Sequence, residues 1–179
     1  AAAGRVFADE TAPEPAAANT SAGAAAVSQG STKTTELAVG SEAPDFAAKS
    51  HDGKDVKLSA FRGKPVVVYF YPKDETPGCT KQACGFRDAW TEMEKKGVVL
   101  IGISGDTDES HRKFAENHKL PFSLVSHPDG KIAAQFGVPF RMGFASRHTI
   151  VIAPDGKVKK IYRDVDVTTH AKDVLGDVS

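Results

Sequence analysis

The chain has 179 residues with 23 basic and 23 acidic side chains, so it carries no net charge. That length suffices for one domain with a sizeable core, and the balanced charge gives no support for a nucleic-acid or membrane-surface partner. The longest apolar runs, over residues 66–71 and 98–101, are too short to span a bilayer, and two cysteines make no disulfide scaffold.

Residues 1–36 are dominated by Ala, Ser, Thr, Gly and Pro, with Val6, Phe7 and Val27 the bulky apolar exceptions before Leu37. Such a segment cannot bury enough surface to offset its ordering entropy, so it reads as a disordered extension. An Ala/Ser-rich, acid-poor leader suits the remnant of an organelle transit sequence, and equally an ordinary flexible tail. Residues 37–179 read as the folded domain.

Order is expected to begin near Leu37. Asp52-Gly53 marks a hairpin turn, and Leu58 to Phe61 fits one helical turn stopped by Gly63 and Pro65. Val66 to Tyr71 is apolar on both faces, which predicts a buried central strand. A helix follows in which Ala83, Phe86, Trp90 and Met93 form one stripe, ended at Lys95-Lys96-Gly97. Then come a strand over 98–104, a helix from Thr107 or Asp108 to His118, a short strand over 122–125 and a helix over 129–136. Two strands, 149–153 and 157–162, are joined by Pro154-Asp155-Gly156. A last helix is expected from Thr168. The order β-α-β-α-β-α-β-β-α from residue 66 argues for an α/β fold with a central mixed sheet flanked by helices. Function in such sheets is expected beyond the carboxyl ends of strands.

The informative stretch lies there: Thr76-Pro77-Gly78-Cys79-Thr80-Lys81-Gln82-Ala83-Cys84. Thr76 stands where an N-cap belongs and Pro77 takes the first helical position. That puts Cys79 in the first turn, where free N–H groups and the helix dipole favour a thiolate. A thiolate with a second thiol nearby points to redox chemistry. Zinc would need two more ligands, and no second paired spacing supplies them. A disulfide oxidoreductase of the Cys-x-x-Cys type would have a narrower spacing; that class, or a redox-regulated binding protein, is the alternative. In a regular helix residues five apart have Cα atoms roughly 8.6 Å apart and project about 140° apart. A disulfide needs less than about 7 Å. The two cysteines can therefore bond only if part of the helix unwinds.

Over residues 37–175 the chain resembles the peroxiredoxins. Pro72, Thr76 and Cys79 in Tyr71-Pro72-Lys73-Asp74-Glu75-Thr76-Pro77-Gly78-Cys79 match their signature, and Cys84 five residues on is similar to the peroxiredoxin Q, or bacterioferritin comigratory protein, branch. Gly102 to Asp106 and Ser146 to Ile152 extend the likeness. The resemblance implies a thioredoxin-like fold and reduction of hydrogen peroxide and alkyl hydroperoxides without a bound cofactor or metal. It implies Cys79 as the peroxidatic cysteine and Cys84 as the resolving cysteine of an intramolecular disulfide. Thr76 would orient peroxide and sulfur, Pro72 would shield the sulfenate, and Arg147 would complete the site. It further implies a monomer recycled by thioredoxin or a similar dithiol. With the leader it favours a plastid, the alternative being a bacterial cytoplasm or periplasm. Arg87 could reach the site from its helix, whereas Lys81 reads as solvated. His148, beside Arg147, should face the other side of its strand. Residues 136–144 depart from the family pattern; Met142 and the phenylalanines there could line the mouth or pack on the core.

Overall fold

The computed structural model describes residues 36–179. The extension expected over residues 1–36 therefore lies, except for Glu36, outside the described residues.

A hairpin opens the fold, β1 (Ala47–Lys49) against β2 (Asp55–Lys57). It turns through Gly53 at φ 82°, a conformation that favours glycine. One 3₁₀ turn, Leu58–Phe61, follows. The remaining elements are β3 (Val66–Phe70), α1 (Pro77–Asp88), α2 (Trp90–Lys95), β4 (Val99–Ser104), α3 (Asp108–His118), β5 (Ser123–Ser126) and α4 (Lys131–Gln135). After these come β6 (Phe140–Arg141), β7 (Phe144–Ala145), β8 (His148–Ile152), β9 (Val158–Tyr162) and α5 (His170–Asp177). The main sheet has five strands in the order β5-β4-β3-β8-β9. β3 pairs parallel with β4 and antiparallel with β8, so the sheet is mixed.

Alternation along β3 builds two cores. Val66, Val68 and Phe70 join Phe46, Ile101, Ile103, Phe136 and Ile150 on one face. Val67, Tyr69 and Tyr71 join Cys79, Ala83, Phe86, Leu100, Phe114 and Phe122 on the other. Every residue of β3 is buried, as its unbroken apolar run requires. Gly102 in β4 is needed for that packing: a Cβ there would sit 2.8 Å from the Tyr69 ring and from Leu124.

Three expectations shift. The predicted long helix is interrupted at Ala89, whose ψ of −3° ends α1 and begins α2. Trp90 then falls in the first turn of a new helix and is half-buried, while Ala83, Phe86 and Met93 stay in the core. The last helix starts at His170, because Asp166 accepts the Thr168 amide and hydroxyl and holds that stretch in a turn. Residues 136–144 lead into the small hairpin β6–β7, which ends at Ala145 and was unforeseen because each strand has two residues. Met142 and Gly143, at φ 53° and 83°, form its two-residue turn.

Candidate active site

The register of the sheet brings two distant segments together. Phe70 pairs with His148, so the residues just beyond, Tyr71 and Arg147, lie at the same sheet end. Side-chain alternation then sends Arg147 to the face that carries α1 and His148 to the other, as anticipated. Burial and the positive charge of Arg163 push the His148 imidazole below its ordinary range.

Cys79 is the third residue of α1 and 2% exposed. The first helical bond runs from the Thr80 amide to the Thr76 carbonyl. The amides of Gly78 and Cys79 precede it and have no intrahelical acceptor. Arg147 Nη2 donates to Cys79 Sγ at 3.2 Å and Nη1 to Gln82 Oε1 at 2.6 Å. Gln82 is 1% exposed and sits three residues after Cys79, on the same helix face. A planar guanidinium can meet both at once, because its donors form a rigid fork. The approach is tight: a Cβ on Gly78 would lie 3.2 Å from Arg147 Nη2.

Thr76 occupies the cap position with extended backbone, but its side chain does not cap. Its hydroxyl donates back to the Lys73 carbonyl at 2.8 Å. The backbone just before it is left-handed, with Glu75 at φ 59°, and that turn leaves the Lys73 carbonyl within reach of the hydroxyl. With its proton committed, the oxygen keeps its lone pairs for an incoming donor. Pro72 lies half-buried in the bend that follows β3.

Cys84 is half-buried further along the same uninterrupted helix, and both thiols are free. Its sulfur lies 3.9 Å from His118 Nδ1 in α3. Arg87, which the sequence allowed near the site, is engaged elsewhere: it donates to the His118 carbonyl at 2.9 Å and pairs with Asp88. Two helical turns separate Arg87 from Cys79, which aims it at α3. Lys81 is exposed. Met142 stands 94% exposed at its hairpin tip, so it neither lines a mouth nor packs on the core.

Behind the loop lies a network that the sequence reading missed. Asp74, 4% exposed, accepts from Tyr71 Oη at 2.7 Å, Ser110 Oγ at 2.7 Å and His111 Nδ1 at 2.7 Å. Its amide donates to Asp106 Oδ2, which also takes the Ser104 hydroxyl. Burial acts to raise the Asp74 pKa; the His111, Tyr71 and Ser110 hydrogen bonds outweigh it and hold the carboxyl below its ordinary value. The loop from Pro72 to Thr76 is thus tied to α3 and to the end of β4. Among the described residues, Asp74, Asp106 and His111 also bring three possible ligand atoms within 4.8 Å. Those atoms already serve one another and their neighbours, and the network accounts for them without a cation. Periodicity gave one usable sign of this arrangement. His111, Phe114 and His118 fall at i, i+3 and i+7, one face of α3 turned inward.

Residues 39–161 match the AhpC/TSA family. The chain belongs to that family. It is a peroxiredoxin, a thiol-dependent peroxidase with the thioredoxin-like fold of its neighbours. Chloroplastic peroxiredoxin Q of Sedum lineare is 49% identical over 127 residues, which cover 70% of this chain and 68% of that one. Chloroplastic peroxiredoxin Q of Gentiana triflora is 48% identical over 131 residues, covering 72% and 60%. The chain thus spans about two thirds or less of the length of these plant relatives. Among solved structures, peroxidoxin BcpB of Mycobacterium tuberculosis has a TM-score of 0.74 at 34% identity, covering 80% of this chain and 97% of that one. The bacterioferritin comigratory protein of Xanthomonas campestris, described for its alkyl peroxide reduction activity, has a TM-score of 0.71 at 31% identity, covering 79% and 95%. These likenesses place this peroxiredoxin in the peroxiredoxin Q and bacterioferritin comigratory branch.

Proposed function

We propose that residues 37–179 form one catalytic domain that reduces hydrogen peroxide and alkyl hydroperoxides through Cys79 and Cys84. The carrying observation is the Arg147 guanidinium fixed 3.2 Å from the Cys79 sulfur at the start of α1. Sulfur in that position attacks the terminal peroxide oxygen, the O–O bond breaks, and water or alcohol leaves while Cys79 becomes a sulfenic acid. Arg147 and the free amides of the helix start face the negative charge passing from sulfur to oxygen. The Thr76 oxygen, its own proton committed to Lys73, can accept from the peroxide O–H and align it. Pro72, half-buried ahead of the helix, limits water around the sulfenate.

Cys84 then condenses with the sulfenate to give the disulfide and water. On the intact helix the two Cα atoms stand roughly 8.6 Å apart, so α1 opens before the bond forms. A protein dithiol of the thioredoxin kind restores both thiols by exchange. We read the enzyme as a monomer, which sedimentation would test. The chloroplastic names of the plant relatives support a plastid setting, which an import assay would test.

The deciding experiment is single-turnover peroxide reduction followed by intact-mass analysis. Cys79→Ser should consume no peroxide. Cys84→Ser should take up one oxygen and then stop, with no turnover in the presence of thioredoxin. Full activity of Cys79→Ser would overturn the assignment.

A further inference from the structure

Three side chains from three segments form a line outside the peroxide site. Glu75 Oε2 lies 2.9 Å from His118 Nε2, and His118 Nδ1 lies 3.9 Å from Cys84 Sγ. Asn117 Nδ2 donates to the other Glu75 oxygen at 2.9 Å. The His118 side chain is 23% exposed, half-sheltered between α3 and α1. Its ring packs edge-on against Phe114, with centroids 5.1 Å apart, which fixes the imidazole plane. The ionisable groups around it are Glu75 from the loop before α1, and Cys84 and Arg87 from α1. The Arg87 guanidinium is bound to the His118 carbonyl.

The tautomer follows from the acceptors. The bonds from His118 and Asn117 hold the Glu75 carboxyl below its ordinary range, so it is a carboxylate that can only accept. The proton of a neutral His118 therefore sits on Nε2, and Nδ1 turns a lone pair toward sulfur. A thiol beside an imidazole oriented by a carboxylate is the arrangement that activates a sulfur nucleophile.

We propose that Glu75 and His118 activate Cys84, with His118 removing the thiol proton while α1 is still helical and Glu75 positioning the imidazole. The inference rests on Cys84 being the resolving cysteine only for its place in the cycle. In that step Cys84 gives its proton to Nδ1, and its sulfur forms a bond to the Cys79 sulfur. The S–O bond of the sulfenic acid breaks, and the departing hydroxide recovers the proton as water. The Cys84 sulfur is oxidised and the Cys79 sulfur is reduced, so no further reductant enters. Positive charge on the imidazole is balanced by Glu75. The unusual left-handed backbone of Glu75 acquires a purpose: it lets one loop send Thr76 to the helix start and Glu75 to α3.

Because the chain has only two cysteines, Cys79→Ser leaves Cys84 as the single thiol. Its alkylation by iodoacetamide across pH 6–9 reads the proposed activation without peroxide chemistry. Adding His118→Gln should slow that reaction at least about tenfold at pH 7 and move the rise of the rate to higher pH. Adding Glu75→Gln should give a smaller loss. In the otherwise native protein, His118→Gln should lower the ratio of disulfide formation to sulfenate formation by a similar factor. The first phase of the same trace monitors the integrity of the Cys79 turn. Free imidazole should restore part of the rate in His118→Ala. Coincident alkylation profiles with and without His118 would overturn the proposal. Alkylation that depends on His118 in a protein that never forms the Cys79–Cys84 disulfide would support the activation and overturn the resolving role.

Discussion

Replacing Arg147 by lysine keeps the charge and removes the fork. In the structure one guanidinium reaches Gln82 Oε1 at 2.6 Å and Cys79 Sγ at 3.2 Å. An ammonium is a point donor on a flexible stem and cannot hold both. A hydrogen bond to a charged group contributes about 1.5–3 kcal/mol; to the extent that this one strengthens as charge passes from sulfur to the peroxide oxygen, its loss slows peroxide attack by up to roughly 10- to 150-fold. Stopped-flow measurement of sulfenate formation would read this, using the fluorescence of Trp90, the only tryptophan, at the start of α2. Gly78→Ala is the complementary perturbation. Its Cβ would sit 3.2 Å from Arg147 Nη2 and displace the guanidinium by a few tenths of an ångström with no group removed. It should give a smaller loss of the same rate constant. If Arg147→Lys stays within about threefold of wild type, the guanidinium is not aimed at the reacting charge and the reasoning fails.

Amide hydrogen exchange across residues 80–88 should show strong protection in the dithiol form and loss of it in the disulfide form; equal protection would contradict opening of α1. His170, 2% exposed between Phe86 and Tyr162, is pushed by burial to a pKa of about 4, against 6.5 in an open chain. Between those values the unfolded chain binds more protons, so stability is complete above about pH 6.5 and declines toward pH 4, by at most about 3 kcal/mol. Urea denaturation at several pH values should show that slope, and His170→Gln should flatten it; identical slopes would contradict the assignment. Asp74→Asn puts an amide donor where three donors already converge. It should destabilise the fold by about 3–5 kcal/mol, and a loss below about 1 kcal/mol would mean the network is not holding the loop. The Asp74 carboxyl is held low in the fold, so its share of stability is present above its ordinary 3.8 and disappears as pH falls below that.

Much of this architecture was legible because the residues announce their own local geometry. The buried run 66–70, the glycine turns at 53, 97 and 156, and the Thr107 cap of α3 are written in single residues or short periods. Arg147 could be tied to Cys79 only through family resemblance, since 68 residues separate them and the sheet register alone joins them. Gln82 was overlooked because a glutamine on a helix reads as solvated; its position three residues after Cys79, beside buried Ala83, was the available sign. The Asp74 network and the Glu75–His118 pair left one local sign, the inward face of α3 that carries His111, Phe114 and His118; their partners left none. They depend on where α3 lands against the loop, which is settled by packing. Thr76 taught a related lesson: cap position was readable, but the direction of its hydroxyl depended on the left-handed turn at Glu75.

The unbroken helix that carries both sulfurs has a cost for the cell. On the proposed assignment of Cys79 and Cys84, the sulfenate waits for that helix to open before resolution, and during the wait a second oxidant molecule can convert it to the sulfinic acid. Changes that stiffen residues 79–84 would therefore make a sturdier protein that its own substrate inactivates sooner. On that assignment, tolerance of oxidant bursts depends in part on how readily one short stretch comes undone.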